Sequence, residues 1–212
     1  MSAILSLLAG AVLACEAPAA PAPVVATDSS YRQLFEGGKD FAAFLAAAEK
    51  RKEQWDRNYR SAVLPDALVA RARAAAGPWK LLVVAVDGCS DSVNTIPYLA
   101  RLTAQLMGVE LRIIGSDVGR GIMDTHRTPD GRGATPTVLL LDATYAEKGC
   151  WVERPSELQG WIAGQKGKLG DNEIFERKMK WYDENAGQAT LDELVTMLEK
   201  AARGEAACSA QR

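Results

Sequence analysis

The chain has 212 residues, 48% of them hydrophobic and 25% charged, with a formal net charge of −2. That length suffices for one ordinary domain with a full core plus extensions. The near balance of charge supplies no field that would draw nucleic acid or an anionic surface, so neither is expected as a partner.

The N-terminus differs from the rest. Met1 to Ala14 is almost wholly small or apolar, and Cys15 follows Val12-Leu13-Ala14. Such a stretch is too short to span a bilayer as a mature helix but suits the apolar region of a signal peptide. Small residues before a cysteine resemble a bacterial lipobox, with residues 1–15 as the leader and Cys15 as the lipidated first residue. No Lys or Arg precedes the run, and Leu13 is bulky for its place. Cleavage near Ala17-Pro18-Ala19 is the alternative. Export to the cell envelope, on the periplasmic side, is expected by either route; a mis-assigned start would leave the chain cytoplasmic. Residues 16–28 then form a Pro/Ala linker, extended and semi-rigid.

A helical extension is expected over 29–78. Asp40 is an N-cap, and Phe41, Phe44, Leu45, Ala48, Trp55 and Tyr59 fall on one stripe, which predicts a single long amphipathic helix. Lys50-Arg51-Lys52, flanked by acids, reads as its solvated face. Pro65 opens a second helix, closed by Gly77. Trp79 to Val86 predicts a buried strand, apolar without alternation.

At Cys89 this strand gives way directly to a helical pattern running to about Met107, kinked at Pro97. A thiol so placed meets the helix dipole and unpaired backbone N–H groups, which favour the thiolate. Asp87 and Asp91 oppose it, and no basic residue adjoins the motif, so the expected balance is only modestly in favour of ionisation. Ser92 stands three residues on, where a dithiol enzyme carries its second cysteine.

Val109 to Ile114 predicts the next strand, and Val118 to Arg127 a short helix. Thr128-Pro129-Asp130-Gly131 is turn chemistry. Gly133-Ala134-Thr135-Pro136-Thr137 leads into a strand at 137–141, paired with 149–152. A helix from Pro155 and a loop over 164–170 follow. The final helix begins at a capping box, Thr190-Leu191-Asp192-Glu193. The core domain is bounded at 79–203, with a tail over 204–212.

The four cysteines are Cys15, Cys89, Cys150 and Cys208. With Cys15 lipidated, one thiol of the other three is left over. Cys89 is the reactive candidate, and Cys150 with Cys208 a structural disulfide in an oxidising compartment. No CxxC pair and a single histidine, His126, argue against a metal site, and no phosphate loop or cofactor motif is present. His126 and Asp124 read as a helix cap or surface residues, and Trp151 and Arg154 as a packed strand end near the thiol.

Residues 29–160 resemble a mostly uncharacterised bacterial thioredoxin-like family. The likeness rests on Glu53-Gln54-Trp55-Asp56-Arg57-Asn58-Tyr59, on Cys89-Ser90-Asp91-Ser92 with Asn94-Thr95-Ile96-Pro97, and on Met123-Asp124, Ala134-Thr135-Pro136-Thr137 and Trp151-Val152-Glu153-Arg154-Pro155. The resemblance implies an α/β thioredoxin-like fold: a central mixed sheet flanked by helices, with an N-terminal helical extension. It further implies a cis Pro136 beside Cys89 and a Thr135 backbone offered to a partner's extended chain. Gly88 departs from the family, where a tryptophan usually precedes the cysteine, and is expected to leave the thiol less shielded.

Two functions are compatible with these residues. One is a monomeric thiol-disulfide oxidoreductase using Cys89, assisted by Ser92, on protein thiols or disulfides or a low-molecular-weight thiol. The other is a redox-silent binding or scaffold lipoprotein, attached to the membrane by its lipid anchor. Peroxidase chemistry through a Cys89 sulfenate is a weaker third.

Overall fold

The computed structural model describes residues 28–205 and 207–208. Cys15, the leader, the linker before residue 28 and most of the tail lie outside the described residues.

The described strands form one five-stranded mixed sheet in the order β2-β1-β3-β4-β5. β1 (Trp79–Val84) pairs in parallel with β2 (Val109–Ile114) and antiparallel with β3 (Thr137–Leu141). β4 (Glu147–Val152) runs antiparallel to β3, and the two-residue β5 (Ala207–Cys208) joins its outer edge in parallel. The central strands read as unbroken apolar runs because both of their faces are covered. Leu81, Val83, Val138 and Leu140 pack on one side with Trp55, Leu99, Leu102 and Leu191. Leu82, Val84, Leu139 and Leu141 pack on the other with Tyr31, Phe35 and Ile122.

The helices of the first face are α3 (Lys52–Ser61), α4 (Asp66–Ala74), α6 (Ile96–Thr103) and α10 (Gln188–Ala202). The second face takes α1 (Asp28–Glu36), absent from the sequence reading, and α7 (Arg120–Thr125). α8 (Ser156–Gln165) and α9 (Asp171–Asn185) share a smaller apolar cluster of Leu158, Ile162 and Tyr182. Among the described residues no helix is long and apolar enough to cross a membrane.

Three expected helices are redrawn. The long helix from Asp40 to Tyr59 is two pieces, α2 (Phe41–Ala47) and α3, because Arg51 takes a left-handed conformation with φ 53°. Lys50 and Arg51 therefore sit on a turn rather than a helical face. The helix expected from Ser90 to Met107 breaks after one turn: α5 spans Ser90–Val93, and Pro97 sits in the first turn of α6, where its missing N–H costs nothing. The capping box at Thr190 is not used. α10 begins two residues earlier, at Gln188, with Gly187 as N-cap at φ 79°. A Cβ there would lie 2.3 Å from the Tyr98 ring, so only glycine fits. Glu193 instead accepts from Trp151 Nε1 at 2.7 Å and Ser156 N at 2.8 Å. Trp151 is thereby a packed strand end.

Candidate functional site

β1 ends at Val84, and the chain turns through Asp87 and Gly88 so that Cys89 becomes the N-cap of α5. Its half-buried Sγ accepts from Ser92 N at 3.5 Å and donates to the Thr135 carbonyl at 3.2 Å. The Thr135–Pro136 peptide bond is cis. Cys89, Thr135 and Pro136 are thus brought together as expected, with the Thr135 carbonyl occupied by the thiol.

Ser92 differs in how it approaches the sulfur. Its backbone N–H points at Sγ, while its hydroxyl is fully buried and has no hydrogen-bond partner. Of the described cysteines only Cys89 is unpaired. No second thiol stands at the motif.

The acids beside the thiol are engaged elsewhere. Asp87 accepts the backbone N–H groups of Glu49 and Lys50, each at 2.9 Å. The Lys50 hydrogen bond, against the cost of burial and with help from that of Glu49, holds its carboxyl below the usual range. The same turn covers Gly88. Arg51 Nε donates to the Gly88 carbonyl at 3.0 Å, and a Cβ on Gly88 would meet Lys50 Cδ at 2.9 Å. Trp55 Nε1 adds a bond to the Asp87 carbonyl at 2.9 Å. The N-terminal extension therefore shields the place that an aromatic side chain before the cysteine would fill, which corrects the expectation of an open flank.

Asp91 is buried at 6% exposure and is met by three groups distant in sequence. Lys178 Nζ lies 3.0 Å and Arg154 Nε 3.3 Å from its oxygens, and the Tyr182 hydroxyl donates at 2.7 Å. Lys178 also donates to Ser90 Oγ at 2.9 Å. Burial, then the Asp91 charge, push the Tyr182 phenol well above its ordinary value. The motif thus has cations after all, supplied by α9 and by the segment after β4. Arg154 is shared with Glu153, which Arg132 also approaches at 3.1 Å. An acid in the first turn of a helix is ordinary, so the sequence carries no signal of this arrangement.

Asp124 is exposed, as expected, in a loose 3.9 Å ion pair with Arg127. His126 caps α7 but is buried at 3% exposure, not a surface residue. Its Nε2 lies 3.1 Å from a Glu147 oxygen. Cys150 and Cys208, opposite one another on β4 and β5, form a disulfide, so Cys150 is not placed to resolve an adduct at Cys89. The ligand atoms of His126, Glu147, Cys150 and Cys208 all lie within 4.8 Å of one another. Counting CxxC pairs and histidines along the chain misses this cluster, because its members come from α7, β4 and β5.

Comparison with known proteins agrees with this geometry. A family model described as thioredoxin matches residues 38–169. The chain is similar to the crystal structure of a protein of unknown function from Pseudomonas aeruginosa. That match has 26% identity, a TM-score of 0.61, and coverage of 81% of this chain and 98% of that one. An HIV epitope-scaffold shares the fold at 24% identity and a TM-score of 0.62, covering 80% of this chain and 97% of that one. No curated protein matches. With more than half its length matched by the family model, a cysteine at a helix N-cap and a cis-proline facing it, the chain belongs to the thioredoxin family.

Proposed function

We propose that the protein is a monothiol thiol-disulfide oxidoreductase, exported and monomeric, in which Cys89 is the nucleophile. The observation that carries this reading is a half-buried, unpaired thiol at a helix N-cap, 3.2 Å from the carbonyl before a cis-proline. The Ser92 N–H points at the sulfur and would hydrogen-bond the charge that develops on it during exchange. Neutralisation of Asp91 by Lys178 and Arg154 removes most of the repulsion that the sequence implies.

The chemistry takes two exchanges. The Cys89 thiolate attacks one sulfur of a substrate disulfide, forming a mixed disulfide and expelling the other sulfur as a thiolate, which takes up a proton. With serine at position 92, release requires a second thiolate, from glutathione, a similar small thiol or the substrate itself. That thiolate attacks the adduct and regenerates Cys89. Displacing the Cys89 S–H from Thr135 would leave this carbonyl for the partner's backbone. The Cys150–Cys208 disulfide supports an oxidising compartment.

One observation favours the scaffold reading. The Cys89 Sγ–H already donates to the Thr135 carbonyl, so the thiol would serve as a structural contact while the groove binds a partner. Exposure of the full chain to oxidised glutathione separates the two. The oxidoreductase reading requires one glutathionyl adduct, mapped to Cys89 by mass spectrometry and absent from Cys89→Ser. It also requires removal of that adduct by reduced glutathione. No Cys89 adduct under conditions that modify a free thiol peptide would refute it.

A further inference from the structure

A second cluster of nucleophilic and ligating side chains lies apart from Cys89, where α7 meets the outer edge of the sheet. Cys150 is 2% exposed and His126 3% exposed. Glu147 keeps only 15% of its side chain accessible.

The positions of these groups are set by the backbone. Cys150 and Cys208 are direct partners across a parallel ladder, so their sulfurs leave the sheet on the same side. Glu147 is three residues from Cys150 and on a regular strand would face the opposite side. The β3–β4 register shifts here: Leu140 pairs with Gly149 but Leu141 with Glu147, leaving Lys148 as the extra residue. That bulge turns Glu147 back to the face that Cys150 occupies, which is a recurring use of bulges beside functional sites.

His126 is oriented from behind. Its Nδ1 lies 3.0 Å from the Ile122 carbonyl, which can only accept, and 3.1 Å from the Thr125 hydroxyl, which can donate or accept. Nε2 faces the Glu147 oxygens, at 3.1 and 3.2 Å. A histidine whose far nitrogen donates to a backbone carbonyl is the usual arrangement of a metal ligand. The Tyr31 hydroxyl, donating to Glu147 at 3.3 Å, fixes the carboxylate in turn.

We propose that, when the Cys150–Cys208 bridge is reduced, the two sulfurs, His126 Nε2 and a Glu147 oxygen form a tetrahedral Zn2+ site. Two thiolates, one imidazole and one carboxylate suit zinc in ligand type and number, whereas calcium and magnesium prefer oxygen alone. The four donor atoms already lie within 4.8 Å of one another. Zinc–ligand bonds of about 2.0–2.3 Å set donor separations a little under 4 Å. Disulfide and metal exclude each other, since both use the same sulfurs. The site is therefore redox-gated. A phosphine reductant and water convert the disulfide to two thiols and phosphine oxide. Binding of Zn2+ then releases the two thiol protons.

The test uses the full chain carrying Cys15→Ser and Cys89→Ser, so that only the proposed thiols remain, with Co2+ as the spectroscopic probe. After phosphine reduction, one Co2+ per chain is expected, with tetrahedral d–d absorption and thiolate-to-cobalt charge transfer, both abolished by one equivalent of Zn2+. The oxidised protein should show neither band. His126→Gln and Glu147→Gln should each weaken binding by more than the roughly 10–100-fold that loss of an outer-sphere partner costs. Re-formation of the Cys150–Cys208 bond on oxidation, mapped by mass spectrometry, verifies that each variant is folded. Cys208→Ser, on the edge strand, should remove the charge-transfer band. No charge transfer in the reduced protein, or equal cobalt binding by the oxidised one, would overturn the proposal. So would unchanged affinity in both His126→Gln and Glu147→Gln, which would leave His126 and Glu147 as an ion pair only.

Discussion

Replacing Asp91 with alanine tests whether the thiol-bearing turn is built on a buried charge network. The carboxylate accepts from Tyr182 and stands between Lys178 and Arg154, and Asp91 and Lys178 are 6% and 8% exposed. Removing one partner of a buried ion pair costs about 3–5 kcal/mol, because the remaining charge is left uncompensated. Arg154 keeps Glu153, but Lys178 keeps only the Ser90 hydroxyl and the face of Phe175, whose centre lies 5.3 Å from Nζ. The lost Tyr182 bond, worth about 1.5–3 kcal/mol to a charged acceptor, is part of the same sum. We expect Asp91→Ala to lose about 4 kcal/mol, a large share of the roughly 5–15 kcal/mol that holds a domain folded. Urea unfolding measures it, with an unchanged slope as the check that only stability moved. Adding Lys178→Met should recover about 1–3 kcal/mol by removing the stranded ammonium. A loss below about 1 kcal/mol, or no recovery in the double variant, would show that water reaches the cluster and that the network does not hold the turn.

Other perturbations probe the remaining links. Ser92→Cys places a thiol where the buried hydroxyl has no partner; the glutathione adduct at Cys89 should then fail to accumulate, resolved within the motif into a Cys89 disulfide visible by peptide mapping. Tyr182 is held neutral chiefly by burial, so its folded-state value lies above that of the unfolded chain. Its contribution is complete below the ordinary phenol value and declines as pH rises past about 10, where the unfolded chain ionises first; Tyr182→Phe should flatten that part of the stability profile. Asp142 is pulled from 3.8 to about 2: burial opposes this, but bonds from the Thr144 hydroxyl, Lys148 and backbone N–H groups outweigh it. Its stabilisation is present above 3.8 and fades as pH falls toward 2, so Asp142→Asn should lose stability at neutral pH and vary less with pH across that window. Asp87→Ala removes both bonds to the turn before α3 and should raise the rate of Cys89 alkylation several-fold while costing about 1–3 kcal/mol.

What the sequence disclosed and what it withheld divide along contact distance. The strand-cysteine-helix junction is written in consecutive residues, and the place of Thr135-Pro136 beside it follows from the family resemblance. The break between α2 and α3 was not. Ala48-Glu49-Lys50-Arg51 carries no glycine or proline, and its propensities continue a helix. The competing term is Asp87, which captures the two backbone N–H groups of Glu49 and Lys50 from a position nearly forty residues on. Pro97 was read as a kink because a helix was assumed to run through it; the break lies at Asn94 and Thr95, and the proline helps start the second piece. His126 and Glu147 were hidden differently, by a bulge that inverts the face of one residue.

The same logic explains why extensions that look dispensable in the sequence matter to the thiol. A helix N-terminus favours an anion only if nearby negative charge is compensated. Here Asp87 is turned away by the extension before the domain, and Asp91 is met by cations from α9 and the segment after β4. Neither cation of the Asp91 cluster comes from the strand-cysteine-helix unit that carries Cys89. The minimal unit of β1, α5 and the cis-proline turn would carry Cys89 beside two uncompensated acids. The surrounding elements therefore engage both acids beside Cys89 as well as covering the sheet. It follows that Lys178→Met should slow glutathionylation of Cys89, although Lys178 touches Ser90 and Asp91 and not the sulfur. Lys178→Arg, which keeps the charge, should restore most of the rate at low salt. Equal rates in the wild type and Lys178→Met would refute the coupling of the Asp91 cluster to Cys89.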